Sequence, residues 1–190
     1  MASPTQASQS KRILIGVCGG IAAYKIAEVV STLVKRGDDV TVAMTRDAQR
    51  FVGEVTFQSL SGRLVFTDPW RHVESVESPH IALARESHVM LIAPCTMNML
   101  ARLVAGRADD PVSLLAASID RSQCPVLLAP SMNETMLDQP ATQRNLKQLD
   151  QDGFTVIEPA TGWQACRTEG AGRLPEPGDL VAAIDACFRS

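Results

Sequence analysis

Ile13-Leu14-Ile15-Gly16-Val17-Cys18-Gly19-Gly20-Ile21 opens a stretch that continues to Val40-Thr41-Val42-Ala43-Met44, and its reading decides the fold. Residues 13–17 and 40–44 are short, mainly apolar runs of strand length, rich in β-branched side chains. Between them Ile26, Val29, Val30, Leu33 and Val34 recur at three- and four-residue spacing, which gives one apolar helical face stopped at Gly37. Strand, glycine turn, helix and strand make a βαβ unit with parallel strands.

The pattern repeats outward. Further apolar runs lie at 89–93, 126–129 and 154–157, and they are continuous rather than alternating, as in strands buried on both faces. Helices are expected at 46–61, 80–87, 97–105, 112–119, 141–149 and 179–188. Alternation of this kind predicts a doubly wound α/β fold around a parallel sheet, in a single domain.

Composition bounds the function. With 190 residues and 45% hydrophobic content, the chain suffices for one domain with a substantial core, and no compositional break marks a second. A net charge of −3 and a pI near 5.6 leave no basic stripe for nucleic acid or an anionic membrane. Apolar runs such as 89–93 are far too short to cross a bilayer. Small molecules and protein surfaces remain as partners. Residues 1–11 lack the apolar block of a secretory signal and the arginines of a transit peptide, so a disordered tail is expected before a domain at 12–190. The five cysteines, Cys18, Cys95, Cys124, Cys166 and Cys187, are scattered without a C-x-x-C pair, which argues against a disulfide framework and suits a reducing cytoplasm. His72, His80 and His88 have no acidic or thiol partner at a ligand-like spacing, and no metal site is expected.

Ligands of an open parallel sheet bind beyond the carboxyl ends of its strands, so the residues just after each run carry the chemistry. Cys18-Gly19-Gly20-Ile21 is a glycine turn opening a helix whose N–H groups suit a phosphate, although an ordinary tight turn reads the same way. Its spacing is not G-x-G-x-x-G. The second run ends in Met44-Thr45-Arg46 rather than in an acid for an adenosine ribose, which favours a mononucleotide over NAD; Thr45 can bond a hydroxyl or phosphate oxygen. Two later runs lead into Ala93-Pro94-Cys95-Thr96-Met97-Asn98-Met99 and Ala129-Pro130-Ser131-Met132-Asn133-Glu134-Thr135-Met136. Each proline is expected to halt its strand, leaving hydroxyls, amides and backbone N–H groups to a planar polar heterocycle. Asn98 and Asn133 are also good helix caps, yet two parallel turns of this kind point to a ligand.

Ser78-Pro79-His80 reads as a helix start, with Ser78 as cap, Pro79 at the first position and His80 in the first turn, where the dipole favours the ring as a proton acceptor. Near the other end, Gly162-Trp163-Gln164-Ala165-Cys166-Arg167-Thr168-Glu169-Gly170-Ala171-Gly172-Arg173-Leu174 sets one thiol among glycines and arginines with little to bury. A structureless functional flap outside the core is expected there.

Taken together, Gly19-Gly20-Ile21-Ala22-Ala23-Tyr24-Lys25, Ser78-Pro79-His80-Ile81, the Ala93 to Asn98 turn, Gly106-Arg107-Ala108-Asp109-Asp110, the Pro130 to Met136 turn and the Cys166 flap resemble the flavin-dependent cysteine decarboxylases. Within them the likeness is greatest to the phosphopantothenoylcysteine decarboxylases of coenzyme A biosynthesis, and it spans about residues 12 to 175. The resemblance implies a Rossmann-like fold, bound FMN, 4′-phosphopantothenoylcysteine as the small-molecule substrate, and a trimer or dodecamer with flavin sites at subunit contacts. By position, Gly19, Gly20, Ile21 and Thr45 would hold the phosphate and ribityl end of FMN, while Thr96, Met97, Asn98, Met99 and Ser131 would line the isoalloxazine. His80 would act as base, Asn133 would bind the substrate carboxylate and Cys166 would donate a proton; Arg173, and Arg167 beside it, read either as partners of the substrate phosphate or as solvated flap charges. Two departures stand out. Cys95, Met97 and Met99 replace small residues of the family's usual turn, so contacts there pass through backbone or bulkier side chains, and Arg167 stands where the family usually has glycine.

The implied chemistry is coherent. A cysteinyl carboxylate holds its carbon dioxide because the electrons left on Cα have no acceptor. Removing a hydride from Cβ while a base takes the thiol proton gives a thioaldehyde, whose C=S accepts the pair as CO₂ leaves, forming an enethiolate. Return of the hydride with a proton gives the saturated thiol, and no external reductant is consumed. An ordinary thiol, with pKa ~8.5, is protonated at neutral pH, which suits Cys166 as the acid. A peptidyl-cysteine decarboxylase would stop at the enethiol and need no such acid. A silent flavin-binding regulatory protein would keep the fold without turnover, but His80, Asn133 and Cys166 are all present.

Overall fold

The computed structural model describes residues 10–70, 78–165 and 167–189. The expected βαβ unit comprises β1 (Arg12–Val17), a 3-10 turn (Ile21–Lys25) running into α1 (Ile26–Lys35), and β2 (Asp39–Met44). β1 and β2 pair in parallel, in register from Arg12 opposite Asp39 to Val17 opposite Met44. α1 stops where its apolar spacing stops: the Gly37 and Asp38 N–H groups donate to the Val34 and Leu33 carbonyls.

The remaining helices are α2 (Glu54–Ser61), α3 (Pro79–Glu86), α4 (Met97–Val104), α5 (Pro111–Ser118), α6 (Glu134–Leu137), α7 (Pro140–Gln151) and α8 (Pro177–Ala186). β3 (Val89–Cys95), β4 (Val126–Pro130) and β5 (Thr155–Val156) complete a five-stranded parallel sheet in the order β2-β1-β3-β4-β5. Every residue of β3 and β4 is buried, as continuous apolar runs require. Pleating divides the core: Ile13, Ile15 and Val17 pack with Ile26, Val29, Phe57, Leu180 and Ile184 on one face. Leu14, Met90 and Ile92 pack with Ala84, Leu100, Leu115 and Leu149 on the other. Each of the larger of these side chains (Val, Leu, Ile, Met and Phe), fully buried, contributes about 1.5–3 kcal/mol.

Four expectations change. The single helix expected at 46–61 is a 3-10 turn (Ala48–Arg50) and then α2, because Gly53 is extended and serves as the N-cap. Pro130 ends β4 as expected, but Pro94 does not halt β3: it lies within the strand behind a cis Ala93–Pro94 bond, and Cys95 resumes pairing opposite Pro130 after a shift of register. The 162–174 segment is not structureless. β6 (Ala160–Trp163) and β7 (Glu169–Arg173) form an antiparallel hairpin held by main-chain bonds, which an apolar pattern does not report. Nor does the segment lie wholly outside the core, since Leu174 joins the α1 face.

Residues 1–9 of the expected tail, like His72, lie outside the described residues. Ser10 donates its hydroxyl to the Gly37 carbonyl at 2.9 Å, and the Lys11 ammonium sits 3.4 Å from Asp185 and 4.3 Å above the Phe188 ring. Among the described residues no helix is long and apolar enough to cross a membrane.

Candidate active site

The chain adds β2 on one side of β1 and then β3 on the other, so winding reverses between β1 and β3. At such a switch point the two loops part and leave a crevice. Here it is a cleft of about 1150 Å³, above the ~300–1,000 Å³ usual for a single small ligand.

Its first wall is the glycine turn. A Cβ on Gly19 would lie 2.5 Å from the Asp47 Cβ and 3.0 Å from the Asp47 carbonyl carbon, so glycine alone lets the loops after β1 and β2 approach. Gly20 precedes the 3-10 turn without any side-chain cap, which leaves N–H groups at its start to a ligand. Thr45 faces this turn and accepts from the Ala48 N–H at 3.2 Å, so its hydroxyl proton is free to donate outward.

The two Ala-Pro turns form the second wall. Ser131 N–H donates to the Cys95 carbonyl at 3.0 Å, tying the turns together. Thr96, not Asn98, caps α4, accepting from the Met99 N–H at 3.3 Å. Cys95 extends β3, and Thr96 is therefore the first residue outside it. Asn133 does cap α6: its Oδ1 accepts from the Met136 N–H at 2.8 Å, and its amide nitrogen is left to donate.

The hairpin closes the third side. Met132 N–H donates to the Gly172 carbonyl at 3.0 Å. Gly172 has φ 106°, and a Cβ on it would lie 2.2 Å from the Met132 carbonyl oxygen. Arg167 also has positive φ, at 65°, the conformation a glycine takes without strain.

The cleft thus gathers Gly19, Gly20, Ile21, Thr45, Thr96 and Met97 with Asn98, Met99, Ser131, Asn133 and Arg173, as the sequence suggested. It does not gather His80. That residue stands in the first turn of α3 behind Ser78 and Pro79, away from the cleft lining, and its buried Nδ1 has no hydrogen-bond partner among the described residues. Cys166 lies outside the described residues.

Sequence reasoning missed Arg46, Asp47, Arg102 and Gln164 on the lining. Arg46 follows Thr45 directly, and Arg102 follows Asn98 by four residues on one helix, so both carried a local signal; Gln164 carried none. Arg102 pairs with Asp109 and reaches Asp110 at 3.4 Å. Asp110 in turn caps α5 through the Val112 and Ser113 N–H groups, which accounts for the Gly106 to Asp110 motif. Burial pushes the thiols of Cys18 and Cys95 up, with the Asp110 charge adding to the effect at Cys18. Both stay protonated and unreactive.

The donor set fits a flavin. Neutral hydroxyls and amides from Thr45, Thr96, Ser131 and Asn133 surround a space walled by Ile21, Met99 and Met132, as a flat heterocycle with a polar edge requires. The 3-10 turn beyond Gly19 and Gly20 begins without a side-chain cap, which suits a phosphate.

Comparison with known proteins agrees. The Flavoprotein family model matches residues 1–189. The bifunctional coenzyme A biosynthesis protein CoaBC of Mycolicibacterium smegmatis is 44% identical over 174 residues, which is 92% of this chain. That alignment takes in 41% of the relative, so the chain spans about two fifths of the length of the curated relatives it matches. Among solved structures, a PPC decarboxylase cysteine-to-serine mutant complexed with pantothenoylaminoethenethiol superposes with a TM-score of 0.86 at 26% identity, over 96% of this chain and 100% of that one. The FMN-dependent cysteine decarboxylase SpaF gives 0.78 at 28% identity, over 94% and 97%. With its parallel sheet, its switch-point cleft and a family match along nearly its whole length, the chain belongs to the Flavoprotein family.

Proposed function

We propose that this chain binds FMN and decarboxylates 4′-phosphopantothenoylcysteine to 4′-phosphopantetheine, a step of coenzyme A biosynthesis, through thioaldehyde and enethiol intermediates. The observation that carries this reading is the convergence of the glycine turn, Thr45, both Ala-Pro turns and the 160–173 hairpin on one cleft. The pantothenoylaminoethenethiol in the PPC decarboxylase neighbour is an enethiol of the kind this route passes through.

Bound in the cleft, the flavin supplies a two-electron acceptor for the carbon that bears sulfur. The chain's own residues do the rest. The Ile21 and Ala22 N–H groups at the start of the 3-10 turn and the Thr45 hydroxyl would hold the phosphate end, the Gly20 N–H being donated to the Cys18 carbonyl. Thr96 and Ser131 donate to the heterocycle edge, while Ile21 and Met99 exclude water from its face. Asn133, its oxygen already engaged at α6, presents only its amide nitrogen and so binds a carboxylate without competing as an acceptor. His80 takes the thiol proton. Cys166 returns a proton to the enethiolate carbon.

His80 reaches the chemistry in an assembly. We assign its ring to the cleft of a second copy, in a trimer or dodecamer. The cleft rim exposes Ile21, Tyr24 and Trp163, each at 59% or more, and Ile81 beside His80 is 43% exposed, so both surfaces carry the apolar area an interface needs. The free cysteines among the described residues accord with a reducing cytoplasm.

One assay tests the reading. Purified protein should release FMN on denaturation and convert phosphopantothenoylcysteine, in preference to a peptide ending in cysteine, to the saturated thiol. In Cys166→Ser, single-turnover spectra should show the flavin reduced and held there, with the enethiol accumulating. Full reoxidation in that variant removes Cys166 as the acid, and turnover of the peptide alone replaces the substrate.

A further inference from the structure

We infer that the phosphate of the substrate is read by a two-cation subsite in which Lys25 joins Arg173, with Glu176 holding both cations in place. The inference rests on the decarboxylase reading above and names the group that sets its preference for a phosphate monoester.

Lys25 ends the 3-10 turn after β1, and Glu176 lies 151 residues later, just before α8. The Lys25 ammonium sits 3.2 and 3.1 Å from the two Glu176 carboxylate oxygens. The Arg173 guanidinium bonds the same carboxylate. Both cations line the cleft, whereas Glu176 is not part of its lining. A lysine placed only for solubility extends into water, but the side chain of Lys25 is 13% exposed.

Charge distinguishes this corner from the rest of the cleft. Arg102 and Arg107 are balanced by Asp109 and Asp110, while here one carboxylate faces two cations and leaves a positive surplus. Donors also remain. Among the described residues Glu176 takes one nitrogen of the guanidinium and leaves the rest of the Arg173 fork to donate. That fork is seated against the hairpin: a Cβ on Gly162 would lie 3.2 Å from Arg173 Nη1. A dianionic phosphate monoester, needing several donors and more than one positive charge, matches the arrangement. A phosphate monoester could come from the substrate or from the flavin. The uncapped start of the 3-10 turn and Thr45 suit the flavin's phosphate, which leaves Lys25 and Arg173 to the substrate.

The test compares the flavin-loaded enzyme with Lys25→Gln and Arg173→Gln on 4′-phosphopantothenoylcysteine and on pantothenoylcysteine. The preference in KM for the phosphorylated form should fall about ten- to hundred-fold in each variant, the loss of one charge-assisted contact to a dianion. An equal change in both KM values overturns the subsite. So does weaker retention of FMN relative to riboflavin with the substrate preference intact, which would give Lys25 to the cofactor. If the wild type turns over neither thiol, the decarboxylase reading fails, and calorimetry with 4′-phosphopantetheine against pantetheine decides the subsite separately. A preference for the phosphorylated thiol that Lys25→Gln removes upholds it, and no preference in the wild type refutes it.

Discussion

His80→Asn is expected to lower turnover by roughly 10²–10⁴, the range general-base catalysis supplies, while the variant still binds flavin. Substrate added anaerobically should then leave the flavin oxidised, because the thiol proton has no acceptor. The stronger test uses the position of the ring. His80 does not line the cleft of its own chain, and its buried Nδ1 has no partner among the described residues. When His80→Asn is co-expressed with Asn133→Ala, a mixed site can pair an intact cleft from one copy with an intact imidazole from the other. Random mixing should restore about a quarter of wild-type activity, since each half of a shared site is sound half the time. Two inactive parents whose mixture stays inactive would place the whole site within one copy, and wild-type turnover in His80→Asn alone would dismiss the residue from the mechanism.

The second large effect concerns Gly172→Ala. At φ 106° an alanine is strained, and its Cβ would meet the Met132 carbonyl oxygen at 2.2 Å, a main-chain atom that cannot swing aside. The bond from Met132 N–H to the Gly172 carbonyl must then break, parting the hairpin from the turn that carries Asn133. We expect a loss of about 2–4 kcal/mol, seen as a fall in Tm of roughly 5–15 °C for a domain of this size, with decarboxylation lost alongside. Gly178→Ala is the control: nothing among the described residues lies within 4 Å of its added carbon, in the first turn of α8, and it should melt at or slightly above the wild-type temperature. Equal melting of the two variants would show that the hairpin is not anchored at Gly172.

What was legible in the sequence follows from which force wrote each part. The sheet was plain because β1, β3 and β4 are buried on both faces and need uninterrupted apolar runs, and the switch-point cleft came with them. The hairpin was opaque. Its strands, Ala160–Trp163 and Glu169–Arg173, are held by main-chain pairing and by glycines that admit the Asn133 turn, and neither leaves an alternating signature. Thr96 displaced Asn98 as the cap because β3 runs one residue beyond its proline, a matter of strand length that side-chain preference does not specify. His80 was found as a helix-start residue, but which cleft it serves depends on neighbours that one chain does not encode locally. Lys25 and Glu176 meet across 151 residues, and only the fold brings them together.

Asn133 divides its side chain between two tasks, its oxygen locking α6 and its nitrogen facing the cleft. Chemical ageing of that amide to an acid would therefore be a silent lesion. The new carboxylate would keep the lock through its remaining acceptor, so the aged molecule would survive heating as well as a fresh one, while repelling the anion it once welcomed.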